Sequence, residues 1–470
     1  MKKIILIFCF AGSALSLFSQ TLSFSNATSS PFSIGGSQLR SNVAVDLNGD
    51  GKLDLLVADY GNNTISVLLG NGNGTFSQAS GSPITVGTNP LAIAIGDFNH
   101  DGKWDLSIAN YGDNTISILL GNGNGTFTQA SGSPISVGSY PYWSDTADFN
   151  HDGKQDLAVV NLVDGTVSVL LGNGNGTFTP ASGSPINLGA SSNPYHVTTA
   201  DFNNDGKLDM AITEGGTQSV AILLGNGNGT FTPASGSPIS LGNYPRIIKS
   251  ADLNNDGKID LVVTESNSTT IDVLLGNGNG TFTAASGSPL NIGTGPTDIA
   301  IYDINKDSKP DIIVANSNTQ VHVLYGNGNG TFTSPSGSPL SGILNDAQSI
   351  AIGDFNGDNK PDMAISSWAS DSVQILLNDM PLGIASINQA NDEAKIYPNP
   401  TSGIFTIECN SLQKNWVVEV YNVLGDKVYS SNINSAKTQI DLSNQAEGIY
   451  FYRAITNEAN LIVEGKIIKE

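Results

Sequence analysis

Seven copies of one acidic segment recur along the chain, and their spacing limits the fold more than any other feature. The segment Asp46-Leu-Asn48-Gly-Asp50-Gly51-Lys52-Leu-Asp54 starts again at Asp97, Asp148, Asp201, Asp252, Asp303 and Asp354, at intervals of 51, 51, 53, 51, 51 and 51 residues. A second element, Leu68-Leu69-Gly-Asn-Gly-Asn-Gly-Thr75-Phe76, repeats in the first six units with the same period. Between them lie short runs of Val, Ile, Leu and Thr, such as Leu55-Leu-Val57, bounded by Gly, Asn and Asp. These runs carry no helical period, so they predict strands. Each unit holds roughly four of them, and four-stranded units of ~40–50 residues are the blades of a β-propeller.

The predicted fold class is therefore all-β, a seven-bladed β-propeller over residues 21–380 followed by a small β-sandwich domain. The last unit ends at Ile375-Leu-Leu377 without its Thr-Phe strand, while Phe24 to Gly35 matches Phe76 to Gly87. The N-terminal strand is expected to complete the seventh blade, which removes two open sheet edges.

Asp-x-Asn-x-Asp-Gly-x-x-Asp places oxygen side chains at positions 1, 3, 5 and 9, as in the first part of an EF-hand loop, with the backbone carbonyl of position 7 as a further donor. Gly at position 6 supplies the positive φ that folds the loop back on itself. The candidate metal residues are Asp46, Asn48, Asp50, Lys52 and Asp54 in the first loop and Asp97, Asn99, Asp101, Lys103 and Asp105 in the second. The third and fourth loops offer Asp148, Asn150, Asp152, Lys154 and Asp156, then Asp201, Asn203, Asp205, Lys207 and Asp209. The last three offer Asp252, Asn254, Asp256, Lys258 and Asp260; Asp303, Asn305, Asp307, Lys309 and Asp311; and Asp354, Asn356, Asp358, Lys360 and Asp362. Three carboxylates packed together disfavour one another's ionisation unless a cation sits among them. A hard oxygen cage of this kind favours Ca2+ over Mg2+, giving up to seven Ca2+ ions as expected cofactors. The competing reading is a set of metal-free Asx turns. Ser308 and Asn359 replace Gly in the last two loops, and the Asp303 loop is expected to bind most weakly.

Acids outnumber bases 42 to 20, a net charge of −22, which argues against nucleic acid as a partner. Half of those acids lie in the seven loops, so the acidity itself points to a metal protein counted without its metal. Lys2 and Lys3, an apolar run from Ile4 and the stretch Ala11-Gly12-Ser13-Ala14 read as a secretory signal peptide over residues 1–20. No later segment is a transmembrane candidate. The two cysteines, Cys9 and Cys409, build no disulfide framework and no Cys-based zinc site.

These residues resemble the FG-GAP/VCBS repeats, the blade type also seen in the integrin α-subunit propeller. The specific part is strand, Asp loop, strand, here Val43-Ala-Val45 before Asp46 and Leu55-Leu-Val57 after Asp54. The resemblance implies Ca2+ in the hairpin between the first two strands of each blade, and leaves function open.

The Asp loops and the Gly-Asn-Gly turns share one face of such a propeller and barely change between units. Connections on the opposite face vary, so a ligand is expected there, met by Tyr60, Tyr111, Tyr142, Trp143, Tyr195, Tyr244, Arg246 and Trp368. Rigid aromatics with Arg and Asn suit sugars or a protein patch. The alternative is that these rings merely pack between blades. There is no His-Glu-x-x-His and no Gly-x-Ser-x-Gly, and no residue is assigned to catalysis.

A linker over 381–396 leads to a tail of different composition over 397–470. It carries Tyr397-Pro-Asn-Pro-Thr-Ser-Gly403, Val417-Val-Glu-Val-Tyr421-Asn-Val-Leu-Gly425, Ile440-Asp-Leu442, Gly448-Ile-Tyr450-Phe-Tyr452 and Gly465-Lys466-Ile-Ile-Lys469-Glu470. This resembles the C-terminal sorting domain of the type IX (Por) secretion system, which implies export across the outer membrane and removal of the tail. The expected protein is a secreted, monomeric, Ca2+-binding module for glycans or proteins at the surface of a Gram-negative bacterium, with the type IX machinery as a further partner. An extracellular polysaccharide lyase or hydrolase built on the propeller is the alternative.

Overall fold

The structure is a computed structural model, and it describes residues 21–266, 268–380, 394–409, 416–422, 427–433, 435, 437–456 and 461–469. The expected signal peptide and Cys9 lie outside them. The chain divides after Pro381 into two compact units. The first contains seven sheets, one per Asp loop.

In each blade the inner strand (Leu39–Val45 in the first) runs into the Asp loop, and the second strand (Asp54–Asp59) returns fully buried. The third strand, Thr64–Gly70, pairs along the second. The outer strand differs from expectation because it is broken in two. Phe76–Gln78 pairs with Leu68 to Gly70, and Ile84–Thr85 pairs with Thr64 and Ile65. The repeated Ser of the intervening turn fills the gap, since Ser82 Oγ accepts the Val67 N–H at 2.8 Å.

The N-terminal strand closes the ring as expected. Phe24 to Asn26 pairs antiparallel with Leu376 to Asn378, and Phe32–Ser33 pairs with Ser372 and Val373. Ser30 Oγ accepts the Ile375 N–H at 2.7 Å, the same contact that Ser82 makes in the first blade. Leu22 is 4% exposed and packs among residues of the last two blades.

Four of the joints between neighbouring blades share one contact. Phe at position 2 of an Asp loop packs edge-on against the Thr-Phe ring of the next blade, as in Phe98–Phe178, Phe149–Phe231 and Phe202–Phe282, with centroids 5.3 to 5.6 Å apart. The next blade's glycine turn donates to the carbonyl of that same Phe, as Gly176 N does to Phe98 O at 2.9 Å. Phe355 and Phe76 repeat the contact between the last and first blades at 5.8 Å, with Gly74 N donating to Phe355 O at 2.8 Å. The joint across the chain's ends is therefore chemically the same as the three that follow the second, third and fourth blades.

The second unit has a three-stranded and a four-stranded sheet. Phe405, Ile407 and Ile440 of the first sheet share a buried cluster with Val418, Val420, Tyr450 and Ile467 of the second. This is the expected small sandwich, beginning at the strand Ala394–Tyr397, inside the expected linker.

Candidate metal loops and axial ligand site

All seven Asp loops fold alike. In the third, Asp148 Oδ1 accepts Asp152 N at 3.1 Å and its Oδ2 accepts Gly153 N at 2.8 Å. Asn150 Oδ1 accepts Asp152 N, and Asp152 Oδ1 accepts Lys154 N, both at 3.0 Å. These are nested Asx turns, with Gly153 at φ 81°. Position 9 acts over a longer range. Asp156 has no exposed surface; its Oδ2 accepts Phe149 N at 2.9 Å and its Oδ1 accepts Gly172 N at 2.7 Å. The same pair of bonds recurs at Asp54, Asp105, Asp209, Asp260, Asp311 and Asp362. The carboxylate thus ties the Asp loop to the start of the glycine turn.

That attachment explains the glycine opening each turn. A Cβ on Gly172 would run into the carbonyl oxygen of Gln155, and the other five turns show the same approach. In the seventh blade the residue is Asn378, whose N–H still reaches Asp362 Oδ1 at 2.8 Å while its side-chain amide donates to Pro361 O at 3.1 Å.

Burial raises the Asp156 carboxyl to about 6, with Asp148 and Asp152 adding repulsion. Asp311 is pushed to about 7 by the same causes. The position-7 lysines answer position 5: Lys154 Nζ lies 2.9 Å from Asp152 Oδ2, and the other six pairs span 3.1 to 3.6 Å. Among the described residues, no three carboxylates or imidazoles gather into a metal-holding cluster. In kind, however, one half-buried and one exposed carboxylate, an amide oxygen, a backbone carbonyl and one buried, charge-crowded carboxylate fit a hard oxygen-seeking cation. Positions 1, 3, 5, 7 and 9 would hold it, and it would supply cross-linking and charge neutralisation, not chemistry on a substrate.

The opposite face gathers most of the aromatic residues expected to meet a ligand. Tyr60 contacts Trp368 at 5.2 Å and Tyr111 at 6.5 Å between ring centroids, and Tyr111 contacts Tyr140 at 4.7 Å and Tyr142 at 6.3 Å. Tyr142 meets Tyr195 at 4.9 Å, and Tyr195 meets Tyr244 at 5.6 Å with a hydroxyl contact of 3.1 Å. The rings form an arc around the mouth of the axis. Trp143 stands apart: one residue deeper, it stacks on buried His196 at 4.2 Å and packs between blades, with Lys249 Nζ 5.1 Å from its centroid.

Between Trp368 and Tyr244 the arc is open. A cavity of about 360 Å³ lies there, lined by Arg40, Arg246, Ser317, Asp346, Gln348 and Trp368 among others. Arg40 sits over the Trp368 ring at 3.9 Å and donates to Gln348 Oε1. Arg246 donates to the Tyr142 hydroxyl at 2.7 Å. The strand pattern does not distinguish Arg40, Asp346 or Gln348 as site residues. Arg40 could have been found from the distribution of bases: of eleven in residues 21–380, eight lie in Asp loops and the other three are Arg40, Arg246 and Lys249.

The FG-GAP-like repeat family matches residues 46–108, 98–159, 148–212, 201–263, 252–314 and 303–365. A secretion system C-terminal sorting domain matches residues 395–470. Integrin alpha-PS3 of Drosophila melanogaster is 32% identical over 140 residues, covering 25% of this chain and 13% of that protein. Two crystal structures of BBS1N in complex with ARL6DN, soaked with lead or mercury, are each 14% identical. They match over 77% of this chain and 98% or 99% of theirs, with TM-scores of 0.51 and 0.50, and so share the fold. The described residues include no helix long and apolar enough to cross a membrane. The sorting domain marks the protein for export through the type IX machinery to the cell surface or beyond it. With its repeats matched from residue 46 to residue 365, the chain belongs to the FG-GAP-like repeat family.

Proposed function

We propose that the exported propeller is a non-catalytic binding module for a glycan or protein at the bacterial surface, built on up to seven Ca2+-braced loops. The carrying observation is the division between the two faces. The Asp-loop face is a copied scaffold, whereas the other concentrates unlike aromatics and both propeller arginines around one axial cavity. Cavities of this size with a few convergent polar groups suit small ligands. Glu265 and Asp272, a carboxyl pair outside the Asp loops, do not line that cavity. Glycan arrays and surface-protein capture with the purified chain test the reading. Specific retention without chemical change is expected; release of reducing ends or unsaturated sugars would replace it with a lyase or hydrolase.

A further inference from the structure

The three bases outside the loops converge on the propeller axis although the rest of the molecule is acidic. Arg40 and Arg246 occupy equivalent second positions of two inner strands, Leu39–Val45 and Pro245–Ala251, and line the same cavity. Neutral partners hold both: an indole face and Gln348 for Arg40, the Tyr142 hydroxyl for Arg246. Neither has an ion pair among the described residues, and the Nε of each is buried with no hydrogen-bond partner. Two carboxylates lie near enough to act on them electrostatically, Asp346 on Arg40 and Asp298 on Arg246, but neither closes an ion pair. Asp346 Oδ1 accepts from Gln348 Nε2 at 2.6 Å, and Asp298 accepts from the backbone of Ile299 at 2.8 Å and Ile350 at 3.0 Å. A guanidinium offers five donors in a planar fork shaped for a carboxylate, and a buried one normally has such a partner. Two unpaired forks facing one cavity are an arrangement that an incoming anion completes.

Resting on the binding reading above, we propose that this cavity takes the carboxylate of an acidic sugar unit, held between Arg40 and Arg246. Its hydroxyls would meet Ser317, Thr297 and Asp346, which line the same space. The volume suits a single sugar ring, and hydroxyl-bearing walls beside the arginines suit a polyol better than an acidic peptide. The arc of rings then serves chiefly to fix the two guanidinium groups.

The test is calorimetric titration of the purified chain with oligogalacturonate and oligoglucuronate, their methyl esters, the matching neutral oligosaccharides and oligoglutamate. Uronates are expected to bind at least tenfold tighter than esters or neutral sugars. Arg246→Gln and Arg40→Gln should each lose tenfold or more on uronates and less than twofold on neutral sugars, with Arg246→Lys recovering only part. The esters probe the same contact in the native protein, so a misfolded variant cannot decide the outcome. Equal binding of acid and ester, or no uronate binding, overturns the carboxylate site. If neutral sugars still bind, the binding-module reading survives that result. Preference for oligoglutamate moves the site to proteins and refutes the sugar assignment.

Discussion

Asp156 has two roles that an experiment can separate, because its structural bonds persist whether or not a cation is present. Replacing it with Ala removes the acceptor for two buried N–H groups, those of Phe149 and Gly172. An unsatisfied buried donor costs about 1–3 kcal/mol, so Asp156→Ala should lose roughly 2–6 kcal/mol even in excess chelator. Asp152 is the contrasting position. It is a third exposed, bonds within its own loop and pairs with Lys154, so Asp152→Ala in chelator should cost only about 0.5–1 kcal/mol. Added Ca2+ should stabilise the native chain strongly and both variants less. Urea denaturation in chelator and in millimolar Ca2+ gives all six values. If Asp156→Ala and the native chain unfold at the same urea concentration in chelator, position 9 is a metal ligand alone and the staple argument fails. If Ca2+ leaves every midpoint unchanged, the metal assignment fails instead.

Three further outcomes follow from particular contacts. A chain lacking residues 21–35 loses buried Leu22 and Ala27 and the half-buried Phe24 and Phe32. At ~25 cal/mol per Å² of apolar surface this is about 5 kcal/mol, and an unaltered denaturation midpoint would contradict closure by that segment. Ser308 sits at φ 66°, where the first five loops carry Gly, so Ser308→Gly should raise stability by about 0.5–1 kcal/mol; a loss would show that the hydroxyl matters more than the backbone. Asp272 is raised to about 6 by burial and by the carboxyl of Glu265. A raised acid contributes its stability below its unfolded pKa and loses it as pH rises through about 6. Asp272→Asn should therefore raise Tm at pH 8 by more than at pH 4, and thermal scans showing the reverse would refute a raised Asp272 carboxyl.

The blade count, the closing strand and the two unlike faces were all legible from the 51-residue period, because each rests on local pattern repeated many times. Two things were not. Position 9 binds an amide sixteen residues away, as Asp156 does at Gly172, and nothing local announces that partner. Nor could the pattern say which of Tyr142 and Trp143 meets the mouth. Register shifts near the start of the inner strand, here between Pro141 and Trp143, so the alternation that assigns strand faces loses its phase there.

The pairing of Phe24 with Asn378 also sets a kinetic expectation. Contacts within a blade and between consecutive blades join residues tens of positions apart, whereas this one joins positions more than three hundred apart. The entropy of closing a loop grows only logarithmically with length, so the final joint is affordable, but it must come last, after every intervening blade has shortened the gap. Until then, the third strand of blade seven keeps one edge bare while the N-terminal segment has no sheet to join. The interval between folding of the seventh blade and capture of that segment is the period in which two copies could exchange N-terminal strands and lock together as a swapped dimer.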